Sequence, residues 1–253
     1  MAKIIAVANQ KGGVGKTTTC VNLCAALHEK GKRVLMADCD PQGNATSGFG
    51  VSKTSSPGMY EMLIKGEDAF ECVCKTEYGD VIPAGKNLAA ASVELAEMKN
   101  REFVLKNALN SLYADYDYIF IDCPPSLELL TVNALAAATS VLIPMQCEYY
   151  ALEGIADLMT SIRMTKKRLN PGLDIDGIVL TMYDARANLT NQVARELKSY
   201  LGDKVYLTVI PRSIRLSEAP SHGQPGIIYD SSCRGSVAYR KFAEEFLGRN
   251  GGK

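Results

Sequence analysis

The chain has 253 residues, 47% of them hydrophobic, and its 28 lysines and arginines are balanced by 28 aspartates and glutamates. That is enough apolar material for the core of one α/β domain spanning residues 1–253. There is no apolar run of about 18 residues to cross a bilayer, and no overall positive charge to announce a polyanionic partner.

The balance is uneven along the chain. Residues 1–150 carry 13 basic and 17 acidic side chains, and residues 151–253 carry 15 and 11, so the basic surface is expected in the C-terminal half. The N-terminus enters an apolar run almost at once, which leaves no room for a signal peptide. Eight cysteines at irregular spacing read as reduced thiols of a cytoplasmic protein. Cys20 and Cys24, four apart, and Cys72 and Cys74, two apart, read as helix and strand positions packed in a core, since no C-x-x-C or histidine pair accompanies them.

Lys3–Ala8 is an apolar, β-branched run and predicts a buried parallel strand. Lys11-Gly-Gly-Val-Gly-Lys-Thr-Thr18 follows and fits the phosphate-loop pattern G-x-x-x-x-G-K-[ST], with Gln10 standing where the first glycine is expected. Gly12, Gly13, Val14 and Gly15 would fold their N–H groups into a nest around phosphates. Lys16 would reach the β- and γ-phosphates, Thr17 would ligate Mg²⁺, and Thr18 closes the loop. The second lysine, Lys11, asks for a separate job. Cys20, Leu23, Cys24 and Leu27 then recur at helical spacing up to a stop at Gly31, so the loop opens onto a helix N-terminus aimed at an anion.

Arg33–Ala37 predicts a second strand, ending at Asp38-Cys-Asp-Pro-Gln42. Residues 43–60 read as a loop, with a short helix near Met59–Ile64. Tyr116–Asp122 is another buried strand, stopped by Pro124-Pro125. A helix through Leu127–Ala138 precedes a strand at Ser140–Pro144. A long helix near Leu152–Leu169, a strand at Ile175–Met182, a helix at Asn191–Leu201, a strand at Val205–Ile210 and a terminal helix at Val237–Leu247 complete the chain. This alternation predicts a mostly parallel twisted sheet with helices on both faces. Ligands then belong at the carboxyl ends of the strands, where Asn9–Thr18, Asp38–Gln42 and Asp122–Ser126 all fall.

Two of those strand ends carry carboxylates. Asp122 ends its strand as a Walker B aspartate does, able to hold Mg²⁺ through water. Asp38 and Asp40, two apart, would point the same way in an extended segment, and Asp40 is the better candidate to orient the water that attacks a γ-phosphate. Thr181-Met-Tyr-Asp184 lies near a guanine-reading motif, but methionine replaces its lysine, and we read the nucleotide as ATP. Met182 and Pro211 are the candidates for flanking the base.

Lys11–Thr18, Asp38–Gln42 and Asp122-Cys-Pro-Pro-Ser126 together resemble the deviant-Walker ParA/MinD ATPases, P-loop NTPases of the SIMIBI type. Gln146-Cys-Glu-Tyr-Tyr-Ala-Leu-Glu-Gly154 and Arg215-Leu-Ser-Glu-Ala-Pro-Ser-His-Gly223 narrow the resemblance to ParA-like, Soj-type partitioning proteins over residues 3–247. The resemblance implies an ATP-dependent homodimer in which Lys11 crosses to the partner's phosphates and Gly12 packs close at the interface. It implies catalysis by Lys11, Lys16 and Asp40. It further implies non-specific binding of double-stranded DNA through Arg186 and Arg215, with Arg240 and Lys241 widening the patch. Release would follow hydrolysis stimulated by a ParB-like partner at the nucleoid, in chromosome or plasmid partitioning. The alternative, a MinD-like membrane-associated regulator, needs a basic amphipathic C-terminal helix. The end here, Lys241-Phe-Ala-Glu-Glu-Phe-Leu-Gly248, reads instead as a docked helix, and no membrane partner is expected.

Overall fold

The computed structural model describes residues 1–148 and 151–251; Tyr149 and Tyr150 of the Gln146–Gly154 motif, and the last two residues of the tail, lie outside the described residues. Its strands are β1 (Lys3–Val7), β2 (Val34–Asp38), β3 (Cys74–Thr76), β4 (Gly79–Ile82), β5 (Tyr118–Asp122), β6 (Ser140–Gln146), β7 (Asp174–Tyr183) and β8 (Val205–Pro211). Its helices are α1 (Lys16–Glu29), α2 (Asn44–Gly48), α3 (Leu88–Ala96), α4 (Val104–Leu109), α5 (Leu129–Ala137), α6 (Ala151–Arg168), α7 (Asn188–Leu201), α8 (Ile214–Glu218), α9 (Gly226–Tyr229) and α10 (Arg234–Asn250).

The strands form one sheet in the order β3-β4-β2-β5-β1-β6-β7-β8, parallel throughout except for the β3–β4 hairpin at one edge. The central strands are apolar at successive positions because both faces are covered. Ile4 and Ala6 of β1 join a core with Ile119, Ile121, Ala134 of α5 and Leu158 of α6, while Ile5 and Val7 face the other way, onto Leu23 of α1 and Phe242 of α10. The period-two alternation of a strand thus divides one hydrophobic run between two helical layers.

Register brings the chemistry to one level. Asp122 lies opposite Val7 on one side and opposite Asp38 on the other, so the phosphate loop, Asp38 and Asp122 leave three adjacent strands side by side. Chain order reverses at β1, whose neighbours β5 and β6 both come later, and the crevice above such a strand is where ligands bind in open α/β sheets.

Several local expectations are corrected. Residues 43–60 hold the short helix α2, because Asp38 accepts hydrogen bonds from the Thr46 backbone N–H (2.8 Å) and hydroxyl (2.7 Å) and turns the chain early. The short helix expected near Met59–Ile64 is a π-helical turn at Glu61–Lys65. The hairpin β3–β4 and the helices α3 and α4 fill a stretch left without elements in the sequence reading. The terminal helix starts at Arg234 rather than Val237, because the Cys233 thiol caps it by accepting from Ser236 N, a role usually taken by Ser, Thr, Asp or Asn. Among the described residues, no helix is long and apolar enough to cross a membrane.

Candidate active site

The phosphate loop is held open from outside. Asn9 donates from Nδ2 to Pro144 O (2.8 Å) and accepts from Lys11 N (3.0 Å) through Oδ1, fixing the chain as it leaves β1. Thr181 donates its hydroxyl to Val14 O (2.7 Å), and Gln146 donates to Gly13 O (3.0 Å). Gly13 (φ +73°) and Gly15 (φ +87°) take left-handed conformations that side chains resist. The loop carbonyls are therefore directed at the protein, and the N–H groups of Gly12 to Gly15 donate to no described residue. That is the arrangement of an anion nest at a helix N-terminus.

Lys16 opens α1, is buried, and donates from Nζ to Lys11 O at 3.1 Å. Burial lowers its pKa, against the opposing pull of Asp122 and, more weakly, Cys123 and Asp40. Thr17 donates its hydroxyl to Asp122 Oδ2 at 2.8 Å. Asp122 is fully buried, and its Oδ1 has no hydrogen-bond partner. Burial first, and then the neighbouring Asp38, push its pKa well up. A buried carboxylate oxygen without a donor beside a threonine hydroxyl fits Mg²⁺ and its water, which neutral donors would not replace.

Asp38, the last residue of β2, and Asp40, two residues on, take different hydrogen-bond partners. Asp38 is fully buried, accepts from Asp40 N (3.1 Å) in addition to Thr46, and is pushed up to about 6 by burial. Its hydrogen bonds fasten the turn. Asp40 is buried, at 9% exposure, with Oδ1 accepting from Gln42 N (2.9 Å) and no described residue donating to Oδ2.

Beside the loop lies a cavity of about 110 Å³, walled by Gly15, Thr18, Met182, Pro211, Leu216 and Tyr239. Met182 is held at φ +49°, a left-handed conformation that a non-glycine residue adopts only under constraint. Both residues expected to flank a base therefore line one cavity adjoining the phosphate loop, and Tyr183 pairs with Pro211 directly beyond them.

At the mouth of the loop, Lys11 is half-exposed and its ammonium pairs with Glu148. A Cβ on Gly12 would meet nothing within 4 Å. Arg186 is 91% exposed and pairs with Asp184 (3.1 Å). Arg215 pairs with Glu218 (3.0 Å) and Asp230 (3.4 Å). Lys241 is exposed.

Arg240 is a correction. Its guanidinium makes two bonds to Glu29 (2.8 and 2.9 Å) and donates to the carbonyls of Ser231 and Ile227 (both 2.9 Å), so four of its five donors are spent tying α10 to α1 and the segment before it. Arg240→Ala should lower stability by about 1.5–3 kcal/mol, the range for hydrogen bonds to charged groups, with little change in any phosphate-binding property. Urea unfolding beside a DNA titration checks both halves.

The sequence reading missed Gln146 and Thr181 as loop supports, Glu148 as the partner of Lys11, and Arg212 and Arg234 as exposed cations near Lys241. A signal existed for one of these: Arg234, Val237 and Lys241 recur at the i, i+3, i+7 spacing of one helix face, and Arg240 falls off it.

A parallel sheet with this loop, helix and pair of strand-end carboxylates defines a P-loop ATPase. A family model described as an AAA domain matches residues 2–175. The chain is 56% identical over 248 residues to the sporulation initiation inhibitor protein Soj of Bacillus subtilis (strain 168), covering 97% of this chain and 98% of that protein. It is 50% identical over 253 residues to the chromosome partitioning protein ParA of Myxococcus xanthus (strain DK1622), covering 99% and 89%. Among solved structures, cobyrinic acid a,c-diamide synthase from Mycobacterium smegmatis with bound ADP and magnesium aligns with a TM-score of 0.87 at 35% identity, over 100% of this chain and 96% of that one. The chain belongs to the ParA/Soj family of chromosome-partitioning ATPases.

Proposed function

We propose that this ATPase is a switch that dimerises on ATP, hydrolyses it slowly, binds DNA without sequence preference as the dimer, and is released when a ParB-like partner stimulates hydrolysis. It would act in the cytoplasm on the nucleoid, as one domain, in chromosome or plasmid partitioning. The nest of Gly12–Gly15 takes the phosphates, Lys16 exchanges the Lys11 carbonyl for a phosphate oxygen, and the cavity between Met182 and Pro211 takes adenine. Thr17 and, through water, Asp122 would hold Mg²⁺, which would supply neutralisation of negative charge on the phosphates. Asp40 orients the attacking water through its free oxygen.

One observation supports dimerisation most directly. The loop mouth presents a half-exposed lysine next to a glycine with open space above it, although this chain needs neither feature for its own packing. Lys11 would leave Glu148 and reach the partner's phosphates, stabilising developing charge as an arginine finger does. Gly12 lacks the positive φ that would strain a side chain. Gly12→Val should therefore leave the melting temperature of the nucleotide-free protein within a degree or two and weaken ATP-dependent dimerisation by about tenfold or more, one large clash being worth over 1.4 kcal/mol. Light scattering with ATP reads the second effect, and a variant that dimerises normally would remove Gly12 from the interface.

DNA binding is tested with the purified protein in ATP, in ADP and without nucleotide, at low and moderate salt. Binding only in ATP, on any sequence and lost as salt rises, supports the switch. ATP hydrolysis without DNA binding in any state would leave the ATPase and remove the partner. The membrane alternative gains nothing from α10, whose Tyr239, Phe242 and Phe246 are buried within the fold.

A further inference from the structure

The turn that carries Asp40 is fastened from two sides, and the two fastenings differ in kind. On the inner side, Asp38 accepts from Thr46, whose hydroxyl in turn accepts from Ala84 N at 2.9 Å, and all three residues are buried. On the outer side stands one exposed lysine. Lys53 donates from Nζ to Gln42 O at 2.6 Å and to Asn44 Oδ1 at 3.1 Å, bridging the turn from Gln42 to the first residue of α2.

The surroundings hold Lys53 in that place. A Cβ on Gly43 would come within 3.2 Å of its Cγ and Cδ, so the aliphatic stem lies over the turn. A Cβ on Gly85 would overlap its carbonyl oxygen, so glycine is what lets the segment after β4 approach the Lys53 backbone this closely. Among the described residues its ammonium bonds no carboxylate, and bracing the turn is its one described task.

Gln42 links that brace to the reaction. Its carbonyl accepts from Lys53, and its N–H donates to Asp40 Oδ1 at 2.9 Å, which leaves Oδ2 without a described donor. Lys53 and Asn44 line a groove of about 530 Å³ together with Thr17 and Thr18, so the brace borders the nucleotide site. Lys53 makes no described hydrogen bond to the phosphate loop, and removing its ammonium leaves the loop's own contacts in place.

Resting on the water-orienting role proposed for Asp40, we infer that Lys53 is a positioning residue for hydrolysis. Through Gln42 it sets where Asp40 holds the attacking water, and it does so without touching ATP. Orientation of the attacking group is worth orders of magnitude in rate, and a turn held only by its inner bonds leaves the Gln42 N–H free to shift.

The test is ATP turnover by the full chain at saturating ATP and Mg²⁺, beside ATP affinity by calorimetry. Lys53→Met keeps the stem over Gly43 and removes the donors. It should lower kcat about tenfold, the low end for a hydrogen bond from a charged group because the ammonium is exposed. ATP affinity and melting temperature should not change. Lys53→Arg, which restores a cation with several donors, should recover most of the rate. In an Asp40→Ala background, Lys53→Met should cost nothing further, because residues that act as one unit are non-additive.

Unchanged turnover in Lys53→Met, with Asp40→Ala still slowed, overturns the positioning role. Loss of ATP affinity in step with the rate, or no recovery in Lys53→Arg, overturns it as well, since either marks a lysine that only supports the structure. A further loss in the double variant overturns the route through Asp40. Unchanged turnover in Asp40→Ala would instead defeat the water-orienting role itself.

Discussion

Asp40→Ala is expected to bind ATP and dimerise as the wild type does while turning over about 10²–10⁴-fold more slowly, the span associated with losing a group that handles the attacking water. The geometry separates binding from catalysis at this residue. Among the described residues the Asp40 side chain makes no hydrogen bond to the loop or to Thr17, and its one side-chain bond is accepted from Gln42 N at 2.9 Å, which aims the carboxylate without tying up its second oxygen. The adjacent Asp38 makes the structural contacts, to Thr46 and to Asp40 N, so the turn survives truncation at position 40. The ATP dimer should therefore accumulate, visible as a persistent dimer by light scattering while phosphate release stops. Unchanged turnover would remove Asp40 from catalysis, and loss of nucleotide binding would show that it holds the loop instead.

Lys16→Ala is expected to fail earlier, at nucleotide binding. Lys16 is buried at the first turn of α1, and among the described residues its ammonium hydrogen-bonds only a loop carbonyl, at 3.1 Å. Truncating one partner of a buried charge pair costs about 2–5 kcal/mol, or roughly thirty- to several-thousandfold in ATP affinity. Dimerisation should disappear with it, and calorimetry with ATP and Mg²⁺ reads the first loss directly. The free protein should suffer less, because burial already lowers the lysine's pKa and opposes its charged state there. An ATP dimer surviving in this variant would disprove the phosphate contact.

The two substitutions differ in how readable they were. Lys16 and Thr17 were legible because a phosphate loop is a local object: glycines, lysine and threonine at fixed spacing after an apolar run define both the backbone path and the ligand. Asp122 was legible for the same reason, as the polar end of a buried strand, and Met182 and Pro211, at the ends of neighbouring strands, line one cavity beside the loop. Asp40 was preferred to Asp38 from the sequence, and the structure adds that Asp38 is spent on Thr46 and on Asp40 N. Two residues apart implies a shared face only while the chain stays extended, and Thr46, eight residues on, pulls Asp38 inward.

The sequence by itself determined the class of protein, the loop, and the order of strands and helices, because each depends on neighbours within one element. The tertiary structure alone decided which charges are spent and which remain. Arg240 and Lys241 are adjacent in the chain, yet one is locked to Glu29 and the other faces a groove. It also decided that Arg186, Arg212 and Arg234 line one groove, and that Gln146 and Thr181 hold the phosphate loop from strands more than 130 residues away. Whether a charge is free depends on what the fold brings within about 4 Å of it, and no spacing along the chain encodes that distance.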